Sequence, residues 1–363
     1  MGKKVILVRS RAIDSSVFKL ADTLFKNGYN IQLLIWDRQN DIDSDEFPYK
    51  THKFNLKAPY DNFIAILYLP YWWIYEFYFL LKNDYDIIHA CDLDTLWPAI
   101  AAKFIKKSLL FYTIYDFYAL SVHNGSFQKI RDLIKSFLSY IEVKGIEFTD
   151  TLFLVDELRY NEVKSAKIKN LVYIYNSPPE FYCDNYKAKN KLKIFYGGLI
   201  TKERGLEHIL EAINDMDNIE LVIAGSGEKE IVDNIINKKI KYLGWISYKD
   251  ILINTLESDI IFRFSDPINP RTKTASPNKL FEAMMCAKPI IMNSEMEISK
   301  IVKNEKCGII VHYGDVKAIR EAIFQLKDPV LCKDLGLNGR KAYENKYSWD
   351  IMEKRIIKAY NGD

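Results

Sequence analysis

Residues 192–230 read "LKIFYGGLITKERGLEHILEAINDMDNIELVIAGSGEKE". Two short apolar runs, 193–196 and 220–224, flank a stretch whose apolar residues fall at helical spacing. Each run ends in a glycine turn. Strand, helix and strand in that order make a parallel pair. The alternation continues in both directions. Upstream, strands are expected at 5–8, 31–36, 87–89, 109–114, 151–155 and 172–175; downstream, at 241–243, 260–264, 289–293 and 308–311. Helical patterns lie between them. In "SSVFKLADTLFKNGYN", Val17, Leu20, Ala21 and Leu24 share a face and Gly28 is the stop. Two sets of six apolar strands predict an α/β chain of two doubly wound, Rossmann-like domains with parallel sheets covered on both faces. The break falls at 176–192, "NSPPEFYCDNYKAKNKL", which reads as an exposed linker.

The bulk numbers agree with two folded domains. The chain has 363 residues, 48% hydrophobic and 27% charged. A formal charge of +3 argues against a dedicated nucleic-acid binder, so no nucleic-acid partner is expected. Five scattered cysteines (Cys91, Cys183, Cys286, Cys307 and Cys332) and five histidines without ligand spacing indicate a reducing compartment and no structural metal. The opening "MGKKVILVRS" is too short an apolar run for a signal sequence and reads as a strand. Residues 59–82, "PYDNFIAILYLPYWWIYEFYFLLK", are nearly long enough to span a bilayer, but Pro70 and Glu76 interrupt them and Tyr and Trp crowd them. A buried core helix, a helix touching a membrane surface and a true span all stay open.

In a doubly wound sheet, ligands bind beyond the carboxyl ends of the strands. After the run at 193–196 come Gly197, Gly198, Lys202, Arg204 and a helix. Cations before a helix N-terminus suit a phosphate; a solvated loop with ordinary surface basics is the competing reading. After 220–224 comes "GSG", with Gly225 and Gly227, a turn that admits something close to the backbone. After 260–264 comes "SPNKLFEAMMCAKPII", where Ser276 is the expected N-cap and Pro277 the expected first-turn residue. Amides near Asn278, Lys279 and Leu280 would then face the sheet edge as a second anion site. Glu282 lies one turn inside. A carboxylate only accepts hydrogen bonds, and a ribose diol offers two hydroxyls. A surface pair between Lys279 and Glu282 is the alternative.

These segments, with "YLGWISYKDIL", resemble in order and spacing the C-terminal half of glycosyltransferase family 4, retaining nucleotide-sugar transferases of the GT-B fold and group 1 type. "YDIIHACDLDTLWPAIAAK", "FTDTLFLVDELR", "VYIYNSPPEFY" and "YSWDIMEKRIIKAY" extend the resemblance over nearly the whole chain. It implies two Rossmann-like domains facing each other across a cleft. Residues 1–177 would bind the acceptor, 178–192 form the linker, 193–345 bind the nucleotide sugar, and 346–363 form a helix crossing back to the first domain. It implies that Glu282 holds the donor ribose, Arg204 and Lys202 the diphosphate, the 277–280 helix start the phosphates, and Ile246 the base. Asp116, in "TIYDFY", would lie near the transferred sugar; Arg9, Arg11 and Asp92, and the loop 9–14, would meet the acceptor. The sequence departs from the family pattern at Thr274 and Gly198, where a glutamate and an arginine are usual, and at Tyr115 and Cys91, where histidine is common.

The resemblance thus implies transfer of a hexose from a nucleoside diphosphate to a hydroxyl, with retained configuration, no cofactor and no metal. The aromatic region 62–82 and the mixed basic and apolar segment 126–145, "SFQKIRDLIKSFLSYIEVKG", suggest a saccharide or lipid-linked saccharide acceptor, peripheral contact with the inner face of the cytoplasmic membrane, and a cytoplasmic, membrane-associated enzyme of cell-surface polysaccharide biosynthesis. A nucleotide-sugar epimerase of similar architecture and a non-catalytic nucleotide-sugar binder are the alternatives. A dehydrogenase would need G-x-G-x-x-G after the first strand, which "VRSRAIDSS" lacks.

Overall fold

The computed structural model describes residues 2–11, 15–40, 47–59, 63–122, 128–182, 191–236 and 240–362. Residues 12–14 of the candidate acceptor loop, His123 and Cys183 lie outside the described residues. The chain forms two compact units. The first is 1–175 with 353–363; the second is 176–352.

The first unit holds a seven-stranded parallel sheet in the order β3-β2-β1-β4-β5-β6-β7. The strands are β1 (Lys4–Arg9), β2 (Asn30–Trp36), β3 (Lys50–Phe54), β4 (Ile87–Cys91), β5 (Leu109–Ile114), β6 (Thr151–Leu154) and β7 (Leu171–Tyr173). The sequence reading expected six strands here, and β3 was missed. "KTHKF" lies at the sheet edge, half-buried and rich in lysine, so it carries no apolar run to read. Helix α1 (Ser15–Lys26) buries Val17, Leu20, Ala21 and Leu24 as its spacing predicts. Helices α2 (Leu69–Lys82), α3 (Leu93–Lys106) and α4 (Gln128–Ile146) follow, with α3 packed against both of the others.

The interrupted aromatic stretch is a 3-10 turn, 63–68, followed by α2, with Pro70 in the helix's first turn. Ile64–Lys82 is long and apolar enough to cross a membrane by length and composition. Trp72, Phe79 and Leu80 nonetheless enter the core, and Glu76 is buried with neither carboxyl oxygen partnered among the described residues. Burial, and then the charge of Asp94, hold that carboxyl well above the usual range and favour its neutral form.

The second unit holds a six-stranded parallel sheet in the order β10-β9-β8-β11-β12-β13. Its strands are β8 (Leu192–Gly197), β9 (Ile219–Ala224), β10 (Lys241–Tyr242), β11 (Ile260–Arg263), β12 (Ile290–Asn293) and β13 (Gly308–Val311). Helices α5 (Leu206–Ile213), α6 (Lys229–Ile236), α7 (Tyr248–Leu256), α8 (Asn278–Met285), α9 (Val316–Gln325) and α10 (Pro329–Ala342) cover it. Phe262 and Phe264 join the core beneath α5 and α9; α8 packs against β11 and α10.

Two details correct the sequence reading. The start of the expected linker is not exposed. Ser177 and Pro178 are buried, the Pro178 carbonyl accepts Tyr343 Oη at 2.9 Å, and Glu180 pairs with Arg340 at 2.9 Å. Prolines and polar residues mark a linker only when nothing packs on them, and here the second unit does. Ser276 is not the cap of α8. The helix starts at Asn278, Pro277 holds the cap position in extended backbone, and Ser276 Oγ is buried without a partner.

The last helix, α11 (Trp349–Asn361), supplies Glu353 onward to the first unit. Tyr360 inserts there beneath β4, its hydroxyl 2.5 Å from His89 Nδ1. Thr113 Oγ1 holds the other ring nitrogen at 2.6 Å.

Candidate active site

In each sheet the strand order reverses once, between β1 and β4 and between β8 and β11. The crevice beyond those strand ends is where an open α/β sheet accepts ligands. The sequence candidates cluster at these two places.

In the first unit, Arg9 ends β1 and Asp92 follows β4. Both are buried and form an ion pair. Asp92 takes a left-handed backbone (φ 66°), which turns its side chain across the edge. Its Oδ1 accepts the N–H groups of Tyr115 at 2.7 Å and Asp116 at 3.1 Å. Burial raises the Asp92 carboxyl to about 6, against the pull of Arg9. Asp92 therefore organises the loop that presents Asp116. Burial opposes the charge of the partly exposed Arg11, while Tyr118, Asp116 and Asp92 favour it; its pKa is raised. Arg9 also lies over the Tyr115 ring, 5.2 Å from its centroid.

Asp94, in the first turn of α3, accepts Ser10 Oγ, and its carbonyl accepts Trp73 Nε1 at 2.9 Å. Further in, Tyr112 Oη donates to Glu142 at 2.7 Å, and burial raises that carboxyl to about 8. Asp94 and Glu142 were missed by sequence reading. An acid inside a helix has no sequence signal for burial.

In the second unit, Gly198 (φ 147°) and Gly225 (φ 137°) end the turns after β8 and β9. A Cβ on Gly225 would stand 1.9 Å from the Gly198 carbonyl oxygen, and one on Gly227 would stand 1.8 Å from that of Ile200. The glycines thus admit the neighbouring turn, with Gly198 N–H bonded to Ala224 O at 2.9 Å. Gly197 closes β8 beneath α7, where a Cβ would meet Ile251 at 2.6 Å. Lys202 and Arg204 form a 3-10 turn. Lys202 is exposed, and Arg204 reaches Ser265 Oγ at 3.4 Å. Ile246 lies in the loop after β10, tied by Gly244 O to Gly225 N–H at 2.7 Å.

Pro277, Asn278, Lys279 and Leu280 open α8 at the same edge; the Leu280 N–H donates to the Pro277 carbonyl at 3.2 Å, which leaves the N–H groups of Asn278 and Lys279 as the helix-end donors. Glu282 is 5% exposed. Its carboxylate accepts the hydroxyl of Tyr248, from the first turn of α7. Burial, then the charge of Glu282, hold the Tyr248 phenol far above its ordinary value. Tyr248 was missed because only the fold sets α7 beside α8. Arg263 was missed too, because it lies within an apolar strand.

Among the described residues no group of three or more His, Cys, Asp or Glu side chains is positioned to hold a metal ion. Parallel glycine turns, guanidinium and ammonium groups and a buried carboxylate at a switch point can bind a phosphorylated, hydroxyl-bearing ligand.

Comparison with known proteins points to glycosyltransferases. The family model for glycosyl transferases group 1 matches residues 183–342. The capsular polysaccharide biosynthesis glycosyltransferase CapM of Staphylococcus aureus is 28% identical over 253 residues, 62% of this chain and 66% of that one. Sucrose-phosphate synthase of Thermosynechococcus elongatus superposes with a TM-score of 0.78 at 15% identity, covering 99% of this chain and 98% of that one. Anabaena HepE in complex with UDP and glucose gives 0.71 at 14% identity, covering 99% and 100%. The second half of this chain thus matches the group 1 glycosyltransferase model, and the whole chain has the GT-B fold of a glycosyltransferase.

Proposed function

We propose that this glycosyltransferase moves a hexose, with retention, from a nucleoside-diphosphate sugar to a hydroxyl of a saccharide or lipid-linked saccharide. The observation that carries the donor reading is Glu282, a buried carboxylate one turn inside α8, the helix whose Lys279 lies against Gly198 in the turn after β8. It accepts one hydroxyl already, from Tyr248, and a ribose diol offers the same chemistry twice. Arg204 and the α8 amides meet the diphosphate, with Lys202 at its rim. Ile246 lies at the base. CapM, as its name says, acts in capsular polysaccharide biosynthesis, and HepE is seen with UDP and glucose.

In the reaction, the bond from the anomeric carbon to the phosphate oxygen breaks and its electron pair leaves on the diphosphate. The acceptor oxygen bonds to the same carbon, and its proton passes to the departing phosphate. The protein positions both partners and stabilises the leaving charge. Neither an enzyme nucleophile nor a metal enters. Asp116 orients the transferred sugar, and Arg9, Arg11 and Asp92 shape the acceptor edge.

The acceptor-side unit offers an apolar surface for a lipid. On α4, Ile130, Leu133, Phe137 and Tyr140 form a stripe, 56%, 71%, 59% and 61% exposed. Tyr71, Ile74 and Tyr78 of α2 and Phe104 of α3 are exposed on the same layer of helices. Such a surface sits in a bilayer interface, and the enzyme works at the inner face of the cytoplasmic membrane.

A thermal-shift screen of UDP, GDP, ADP and TDP tests the donor reading. A ligand that binds only the folded state raises Tm. At least one diphosphate should do so; none doing so, at millimolar concentration, ends it. Hydrolysis or epimerisation of the matching nucleotide sugar without any acceptor would favour the epimerase, and binding with no turnover across an acceptor panel the non-catalytic binder.

A further inference from the structure

Strand alternation turns Arg263 away from Phe262 and Phe264, toward the side of β11 that α8 covers. It sits at the carboxyl end of β11, next to the switch point with β8, and is 6% exposed. Its guanidinium donates to the Phe264 carbonyl and, among the described residues, to no carboxylate. Lys279, in the first turn of α8, places its ammonium 5.1 Å from the Tyr196 ring centroid. A Cβ on Gly198 would stand only 2.5 Å from that ammonium, so Lys279 occupies the space a side chain at 198 would need. Arg204 completes the set.

The charges of these three groups are not balanced. Arg204 lowers Arg263's pKa after burial does, and both arginines lower Lys279's, after burial and against Glu282. Among the described residues none of the three forms an ion pair. Glu282 favours the charge of Lys279 and Glu203 that of Arg263, without an ion pair to either among the described residues; Glu282 accepts the Tyr248 hydroxyl and Glu203 the Asn269 amide at 2.9 Å. Arg263 is buried and Lys279 and Arg204 are partly buried; an unpaired buried cation is costly, and three cations gathered at one sheet edge suit a polyanion.

We infer that Arg263 and the side chain of Lys279 bind the diphosphate together with Arg204, the Lys279 ammonium filling the place left by the missing side chain at Gly198. This rests on the donor reading above and adds two side chains to it. The guanidinium at the end of β11 and the ammonium at the start of α8 approach the phosphates from the strand and the helix side. A diphosphate spans such a set; a monophosphate reaches fewer of its members.

The test measures calorimetric affinities of the wild-type chain, Arg263→Leu and Lys279→Met for UDP, UMP, GDP, GMP and inorganic pyrophosphate. The wild type should prefer its diphosphate over the monophosphate. Each variant should lose tenfold or more for the diphosphate and less than about threefold for the monophosphate, so the preference collapses. Without ligand, Arg263→Leu should melt at the same temperature or higher, because an unpaired buried charge is gone. A merely structural arginine would give the opposite. If Arg263→Leu fails to fold, Arg263→Lys and Lys279→Met carry the test. Wild-type binding with unchanged affinity in the folded variants overturns this inference alone. No nucleotide binding by the wild type overturns the donor reading and this inference with it.

Discussion

The carboxylate of Asp92 accepts the backbone N–H of Asp116 at 3.1 Å, while its other oxygen pairs with Arg9. One buried acid after β4 thus holds the ends of β1 and β5 in register. Asp92→Asn should remove a buried counter-charge that faces Arg9. We expect a loss of about 3–5 kcal/mol in urea unfolding. Asp116→Asn, at a partly exposed position, should change stability by less than about 1 kcal/mol and act on turnover instead. Equal stability of Asp92→Asn and wild type would disprove the organising role.

In the proposed ribose site, Glu282 accepts the hydroxyl of Tyr248. Glu282→Ala should weaken nucleoside-diphosphate binding at least tenfold, about 1.4 kcal/mol. Tyr248→Phe removes the hydroxyl that now occupies the carboxylate, so affinity should hold or rise. Calorimetry with the best diphosphate from the screen decides. Unchanged affinity in Glu282→Ala would remove the ribose assignment.

Lys279 carries a pH dependence. Burial first, then Arg263 and Arg204, lower its pKa to about 8 against Glu282. Above that pH the folded, ligand-free chain loses the cation. Diphosphate affinity should therefore fall as pH rises through about 8, with a flatter profile in Lys279→Met. Stability moves the other way: the unfolded lysine keeps its proton to about 10.4, so ligand-free stability should gain between those values. A flat affinity profile in the wild type counts against the ammonium contact.

His89 carries a second. Burial lowers its pKa to about 3, and Tyr360 and Thr113 occupy its ring nitrogens. The unfolded imidazole takes a proton near pH 6.5; the folded one refuses it until about 3. Stability should fall as pH drops through that window. Urea midpoints of wild type and His89→Gln across pH 4–7 isolate the contribution, and parallel curves would refute it.

The exposed stripe of α4 predicts flotation with vesicles containing phosphatidylglycerol. Leu133→Gln with Phe137→Gln should cut binding at least fivefold without lowering Tm. Retained binding by the double variant would move the contact elsewhere, and no binding by the wild type would end the membrane reading.

Strand and helix alternation is written in local patterns of apolar residues, because parallel strands buried on both faces are continuous apolar runs. The sequence by itself therefore determined the two α/β units, nearly every strand, the glycine turns and the basic loop. It missed β3 because an edge strand needs no apolar run. It placed Glu282 but not Tyr248, and Arg204 but not Arg263. Those pairings join β11, α7 and α8, which are neighbours only in the folded sheet. The glycines after β9 had a sequence reading as room for a ligand; the fold fills that room with the turn after β8. Only tertiary structure decides which polar residues leave water and which charges then lack a partner, because burial is a property of surroundings rather than of spacing.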